Sequence, residues 1–255
     1  MSYNEDPIGQ SFDMGRVISG TFSAIAKNFV VFLAGAVVFL GLPQALTIYA
    51  TLDAAAAGSD LSGNSGVLNL IAFALNLIGS SIMNGYIVYT VAQGYRGKEP
   101  SIGESYSAAI RSILGLIGAS ILVSLGVGLG VVLLIVPGII FMVMWSVTIP
   151  SLVVEGLSPV SAMKRSQELT KGSRWPIFWL SLVGILINVA LTFALTGFNF
   201  GALISQSPGL SVLVGQGLIA IVSSIIFGTG GAIVYAELRN IKEGIGTEEM
   251  AAVFD

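Results

Sequence analysis

Six long apolar runs alternate with short polar connections along this chain. They lie at Phe29–Ala50, Val67–Ala92, Ile113–Val136, Ile139–Val154, Trp175–Thr196 and Leu210–Ala236, and none contains a charged residue. A helix needs about 20 mostly apolar residues to cross a hydrocarbon core of roughly 30 Å, so each run predicts a membrane-spanning helix. From residue 113 to 154 the apolar run is 42 residues long, roughly 63 Å as a helix. That is about twice the core, so the run must fold back. Pro137-Gly138 is the expected break, because proline blocks a continuing helix and glycine supplies turn geometry. The fourth span is then only 16 residues, which implies local thinning, a turn below the surface, or cover by neighbouring helices.

A short amphipathic segment precedes each pair of spans. Before the first pair, Met14, Val17, Ile18, Thr21, Phe22 and Ile25 recur at helical spacing, with Arg16, Ser19, Ser23 and Lys27 elsewhere on the wheel. Before the second, Ile102, Tyr106, Ala109, Ile110 and Ile113 share a face, and Ser101 and Glu104 have capping-box spacing. Before the third, Ser158 is a good N-cap, with Pro159 at the first helical position. Lys164, Arg165, Glu168 and Lys171 there cover an arc of roughly 120°. Segments of this kind are expected in the headgroup plane. The fold expected is therefore all-α: a polytopic membrane protein whose six transmembrane helices form three hairpins, each preceded by a cytoplasmic interfacial helix. Ile8-Gly9-Gln10-Ser11-Phe12 and Ile102-Gly103-Glu104-Ser105-Tyr106 look like copies of one another, as a degenerate threefold repeat would produce. The division expected is an N-terminal tail and interfacial helix over 1–28, a membrane domain over 29–236 and a C-terminal tail over 237–255.

Charge sharpens this picture. The chain is 54% hydrophobic and only 10% charged, with mean hydropathy +0.89. A soluble domain carries about 25% charged residues, so lipid must be part of this chain's solvent. The eleven cations fall before span 1, between spans 2 and 3, between spans 4 and 5, and after span 6. The connections 51–66, 137–138 and 197–209 hold none. All eleven thus lie on one side, which the positive-inside rule makes cytoplasmic. A multi-pass protein of the cell inner membrane is expected, with both termini cytoplasmic. The first 13 residues carry Glu5, Asp6 and Asp13 and no cation, so a cleaved signal peptide is not expected.

Candidate chemistry is sparse. There is no cysteine and no histidine, which removes thiolate chemistry and the commonest metal ligand and near-neutral titrating group. No ionisable residue lies inside the six runs, so a proton relay has no evident carriers. No cofactor and no metal are expected. Asn69, Asn76 and Asn84 form a polar stripe on span 2. Such a stripe either lines a solute path or hydrogen-bonds between helices, and packing is the commoner use. Gly126 and Gly130 form a GxxxG pair on span 3, and Gly228, Gly230 and Gly231 interrupt span 6. Small residues let helices approach closely and also permit broken helices. Trp145, Trp175 and Trp179 are candidate interface anchors, Trp175 best placed beside Arg174.

One stretch is distinctive: Val136-Pro137-Gly138-Ile139-Ile140, Trp145-Ser146, Pro150, Glu155-Gly156-Leu157-Ser158-Pro159, Ala162, Lys164-Arg165-Ser166, Leu169-Thr170, Gly172 and Arg174-Trp175. It resembles the bacterial multi-pass family of YciC-like inner-membrane proteins and the membrane domain attached to some glycerophosphodiester phosphodiesterases. The resemblance is clearest over residues 133–178. It implies a six-helix inner-membrane protein and not the phosphodiesterase activity, which belongs to a separate catalytic domain in fused relatives. Physically the stretch reads as a tight Pro137-Gly138 hairpin, a kink at Pro150 and a helix capped by Ser158-Pro159. Glu155 is expected to pair with Arg165 or Arg174 and pin that helix to the bundle.

The function expected is non-enzymatic: a structural protein, a partner of another membrane complex, or an organiser of lipid. The alternative is a transporter or channel for a lipid-like or small neutral solute, with its path near the asparagine stripe and the glycine-rich parts of spans 3 and 6. A membrane enzyme would need a converging cluster of polar side chains, and the spans offer none. Membrane lipids and another membrane protein complex are the expected partners, and nucleic acid is not.

Overall fold

The computed structural model describes residues 11–56, 64–95, 97–196 and 210–244. Ile8-Gly9-Gln10 of the paired pentapeptides, Arg96, residues 57–63 of the cation-free connection 51–66, the whole of the connection 197–209, and residues 245–255 lie outside the described residues. Among the described residues every regular element is a helix: α1 (Met14–Lys27), α2 (Phe29–Ala36), a π turn (Val37–Gly41), α3 (Leu42–Ala56), α4 (Asn64–Tyr95), α5 (Ile102–Arg111), α6 (Ile113–Leu133), α7 (Ile135–Met144), α8 (Thr148–Glu155), α9 (Pro159–Thr170), α10 (Arg174–Thr196) and α11 (Leu210–Glu243). Six helical units are long and apolar enough to span a membrane: α2 through α3, α4, α6, α7 with α8, α10, and α11. They pair as three hairpins, and α1, α5 and α9 stand before them in the chain. The last helix runs on to Glu243, so residues 237–243 continue span 6.

The three short helices begin where side-chain oxygens satisfy free backbone donors. Asp13 Oδ1 accepts from the Gly15 and Arg16 amides at 2.8 and 3.1 Å. Ser101 Oγ accepts from Glu104 N, and Ser158 Oγ accepts from Ser161 N with Pro159 behind it. This is the usual economy of helix starts. Each short helix turns a narrow edge inward, with Val17 and Thr21 buried on α1, Ser105 and Ala109 on α5, and Ala162, Ser166, Leu169 and Thr170 on α9. Met14, Ile18 and Phe22 on α1 and Ile102 and Tyr106 on α5 stay exposed.

The core centres on α4, where Met83, Tyr86 and Ile87 are fully buried. Tyr86 lies over Gly35 of α2, and its hydroxyl donates to the Val31 carbonyl at 2.9 Å. The π turn in span 1 has a local cause. Pro43 lacks the amide that would complete a helical bond to the Phe39 carbonyl, and the helix widens there. Gly79 of α4 makes room for that carbonyl, which a β-carbon at 79 would strike.

The long apolar run folds back at Leu134 rather than at Pro137-Gly138. Leu134 is extended (φ −161°, ψ 139°), and α7 starts at once with Pro137 in its first turn. A first-turn amide has no helical partner, so proline is harmless there and marks a start, not a stop. Gly138 instead serves the hairpin's packing: it meets Val131 and Gly130 of α6 backbone to backbone. The fourth span is consequently 21 residues, Ile135–Glu155, and not a short one. It is interrupted at Trp145–Val147, upstream of Pro150, and Pro150 sits in the first turn of α8. Trp145 is engaged inside the hairpin. It stacks on Phe141 with ring centroids 4.9 Å apart and packs on Gly126 of α6. Gly126 and Gly130 therefore close this hairpin from within.

Candidate functional site

The interruption of span 4 would leave backbone groups unpaired inside the bundle, and α9 supplies the missing partners. Ser166 Oγ donates to the Met144 carbonyl at 2.9 Å and accepts from the Val147 amide at 3.2 Å. Thr170 Oγ1 reaches the same Met144 carbonyl at 3.3 Å and the Ser166 carbonyl at 2.9 Å. Both side chains are fully buried. The i,i+4 spacing of Ser166 and Thr170 puts them on one face of α9, so a single helix turn stitches both sides of the break. Groups at the break still stay unpaired, the buried Thr148 hydroxyl among them. A continuous helix would satisfy the Ser146 carbonyl from residue 150, but Pro150 has no amide. The Ser146 hydroxyl is likewise buried without a hydrogen-bond partner.

A closed ring of charged and phenolic groups fastens the polar end of the same region. Arg165 Nε donates to both carboxylate oxygens of Glu155 at 2.9 Å. Arg165 also bonds Glu243, whose other oxygen takes Arg239 Nε at 2.7 Å. Arg239 donates to the Tyr235 hydroxyl at 3.4 Å, and that hydroxyl donates to Glu155 at 2.7 Å, closing the circuit. The ring joins α8, α9 and α11. Burial opposes the charge on Arg165, but its hydrogen bonds to Glu155 and Glu243 outweigh this and raise its pKa. Nearby, Arg16 donates to Glu237 at 2.7 Å and ties α1 to α11.

Beside the break lies a cavity of about 320 Å³ between α1, α10 and α11. Its walls are largely apolar, and Ser146, Ser181 and Thr21 are its polar points. Several wall residues, Ile18 and Phe22 of α1 and Val183 and Ile187 of α10, are also exposed on the outer surface of the bundle. The cavity therefore opens sideways between α1 and α10. Gly230 and Gly231 of α11 contribute wall without side-chain bulk.

The sequence-selected residues are divided between this region and others. Glu155, Arg165, Ser158 and Pro159 belong to the ring or to the helix that carries it. Arg174 does not reach Glu155 through any described ion pair, and its Nε is buried with no hydrogen-bond partner. Lys164 points to solvent, and Trp175 is 72% exposed. The asparagines take separate tasks. Asn76 bonds Thr47 Oγ1 of α3 at 2.8 Å, Asn84 bonds the Ser80 carbonyl of its own helix, and Asn69 lies on an exposed side of α4. None of the three lines the lateral cavity. Asn188 on α10 bonds Ser223 on α11 within the third hairpin. Sequence reasoning quoted Ser166 and Thr170 within the distinctive stretch but gave them no role; their trace was a neutral polar pair opposite the charged arc. It missed Tyr235, Arg239 and Glu243, of which only the i,i+4 pair Arg239 and Glu243 left a pattern.

Among the described residues no group of His, Cys, Asp and Glu side chains is arranged to hold a metal. A family model described as a domain of unknown function, DUF7847, matches residues 67–240. The chain belongs to the DUF7847 family. No curated protein and no solved structure matches it. The DUF7847 match takes in spans 2 to 5, α5, α9 and most of α11. It contains the whole stitched break and four of the ring's five residues, leaving out α1, span 1 and Glu243.

Proposed function

We propose that the protein is a non-enzymatic integral membrane protein that organises lipid, holding a lipid chain in the cavity between α1, α10 and α11. One observation carries the reading: an apolar cavity of about 320 Å³ opens sideways on the surface that the long apolar helices present. A water-facing opening would put exposed Ile18, Phe22, Val183 and Ile187 at a cost, whereas a bilayer supplies chains that fill such a cleft. The same exposed face of α1 supports an interfacial position for that helix. The one-sided distribution of the eleven cations supports a cytoplasmic-membrane protein with both ends in the cytoplasm. The finer kinship with YciC-like proteins and the phosphodiesterase membrane domain rests on the residue pattern over 133–178.

A second reading, transport of a lipid-like solute, draws on the broken fourth span, since irregular backbone at membrane depth is placed where it lines a cavity. Purification in mild detergent followed by native mass spectrometry tests the first reading. Retained lipid is expected on the wild type, and Ser181→Phe, which fills the cavity, should remove it. Wild-type protein without lipid but with a stoichiometric protein partner would refute lipid holding and favour a docking role. Lipid flux across vesicles containing the protein would favour transport.

A further inference from the structure

We propose that the lipid held beside α10 is anionic, its phosphate headgroup bound by Arg174, Lys171 and Lys242 at the polar end of the cavity. This rests on the cavity reading above and adds the chemistry of the headgroup. The cavity stripe on α10 runs Ile177, Ser181, Gly184, Ile187, a helical succession of neighbours on one face. Arg174 continues that stripe one turn toward the helix start. Helical side chains lean toward the N-terminus, so Arg174 extends beyond the apolar wall toward the polar end.

Arg174 has company there, and no described acid forms an ion pair with it. Its Nε is hidden from solvent with no protein partner. Gly172, in the left-handed region at φ 93°, turns the chain sharply between α9 and α10 and so keeps Lys171 close to Arg174. Lys242 of α11 donates to the Glu168 carbonyl at the end of α9. Lys171, Arg165 and Arg174 lie within electrostatic reach of Lys242 and repel it. The acids nearby are already engaged: Glu155 and Glu243 are held by Arg165, Arg239 and Tyr235 in the closed ring. Among the described residues, that leaves Lys171, Arg174 and Lys242 against Glu168. A phosphate diester answers each of these features. It offsets part of the surplus, accepts from the buried Arg174 Nε, and can be joined to a chain that enters the cavity.

The test uses the full chain in detergent micelles, titrated with phosphatidylglycerol, phosphatidylcholine or inorganic phosphate and read by native mass spectrometry. Wild type should prefer phosphatidylglycerol to phosphatidylcholine, and each cation removed should reduce that preference about fivefold. Arg174→Gln and the exposed-site variant Lys171→Gln should both lose preference while keeping phosphatidylcholine binding. Lys171→Gln keeps the test decisive if Arg174→Gln fails to fold. Equal binding of the two lipids by wild type would overturn the headgroup assignment and leave the cavity reading standing. Loss of both lipids on Ser181→Phe with no change in either cation variant would overturn it too. Saturation by inorganic phosphate at concentrations that leave lipid binding unchanged would show a free-anion site and also overturn it. Wild type that retains neither lipid would sink the cavity reading itself.

Discussion

Replacing Ser166 by alanine isolates the repair of the broken span. The hydroxyl serves two backbone groups at once, accepting from Val147 N at 3.2 Å and donating to Met144 O at 2.9 Å. Alanine strands the Val147 amide completely, because no other described side chain reaches it. The Met144 carbonyl keeps the weaker bond from Thr170 at 3.3 Å. An unsatisfied buried polar group costs about 1–3 kcal/mol, and the bilayer core offers no water as a substitute. Ser166→Ala should therefore lower unfolding free energy by about 2 kcal/mol, nearly all of it from the amide. Thr170→Val should cost about 1 kcal/mol. The double variant should exceed the sum, because the Met144 carbonyl then loses both donors, with a coupling of about 1 kcal/mol. Denaturant unfolding in detergent measures the energies, and hydrogen exchange locates them, with Val147 as the amide that loses protection. A loss below about 0.5 kcal/mol for Ser166→Ala, or exchange unchanged at Val147, would refute the stitching argument.

Other expectations concern different links in the bundle. Glu155→Gln should destabilise the detergent-solubilised protein by about 2 kcal/mol, because it leaves Arg165 short of a charged acceptor while Glu243 still holds it; a double-mutant cycle with Arg165→Met should recover most of the loss. Gly79→Ala forces a β-carbon onto the Phe39 carbonyl and should cost about 1–3 kcal/mol or abolish folded yield, which thermal unfolding and size exclusion will show. Asn76→Leu should cost only about 0.6 kcal/mol and leave solute permeability of proteoliposomes unchanged, since Asn76 is spent on Thr47. Because the chain has no cysteine, single cysteines at Lys27, Lys98, Lys171 and Lys242 can be introduced without background, and an impermeant thiol reagent should label all four from the same side.

The apolar periodicity made the spans legible because hydrocarbon demands long uncharged runs whatever their packing. Discontinuities were read less well, and prolines show why. Pro43, Pro137 and Pro150 each stand within the first turn of a helix, a few residues after the irregularity they accompany. What proline forbids is a bond to a carbonyl four residues earlier, so the backbone change appears upstream of the residue that causes or tolerates it. Reading Pro137 as the turn displaced the break from Leu134 and made span 4 look short. The pairing of Glu155 was half visible: charge complementarity nominated Arg165 and Arg174 equally, and only the rotation of α9 about its axis selects Arg165. Ser166 and Thr170 were invisible as functional groups because their importance depends on an interruption in another helix 20 or so residues away, which no local pattern announces.

A division of labour between neutral and charged polar groups follows from where each can be afforded. Inside the bundle the polar contacts are made by hydroxyls that carry no charge to desolvate: Ser166 and Thr170 answer the backbone break, and Thr90 bonds Ser105 at 3.0 Å where α5 docks on α4. At the polar end, carboxylates and guanidinium groups close into a ring that leaves no net charge among its members. Four buried side-chain groups among the described residues stay without a hydrogen-bond partner: the hydroxyls of Ser146, Thr148 and Thr229 and the Nε of Arg174. Ser146 lines the cavity beside α10, and Arg174 extends the α10 stripe that forms the cavity's wall. Thr148 and Thr229 do not line that cavity, so of the four it is Ser146 and Arg174 that are placed for a component of the bilayer to complete them. A lipid with an apolar chain and a phosphate is the membrane component that offers both an apolar body for the cavity and an acceptor for Arg174.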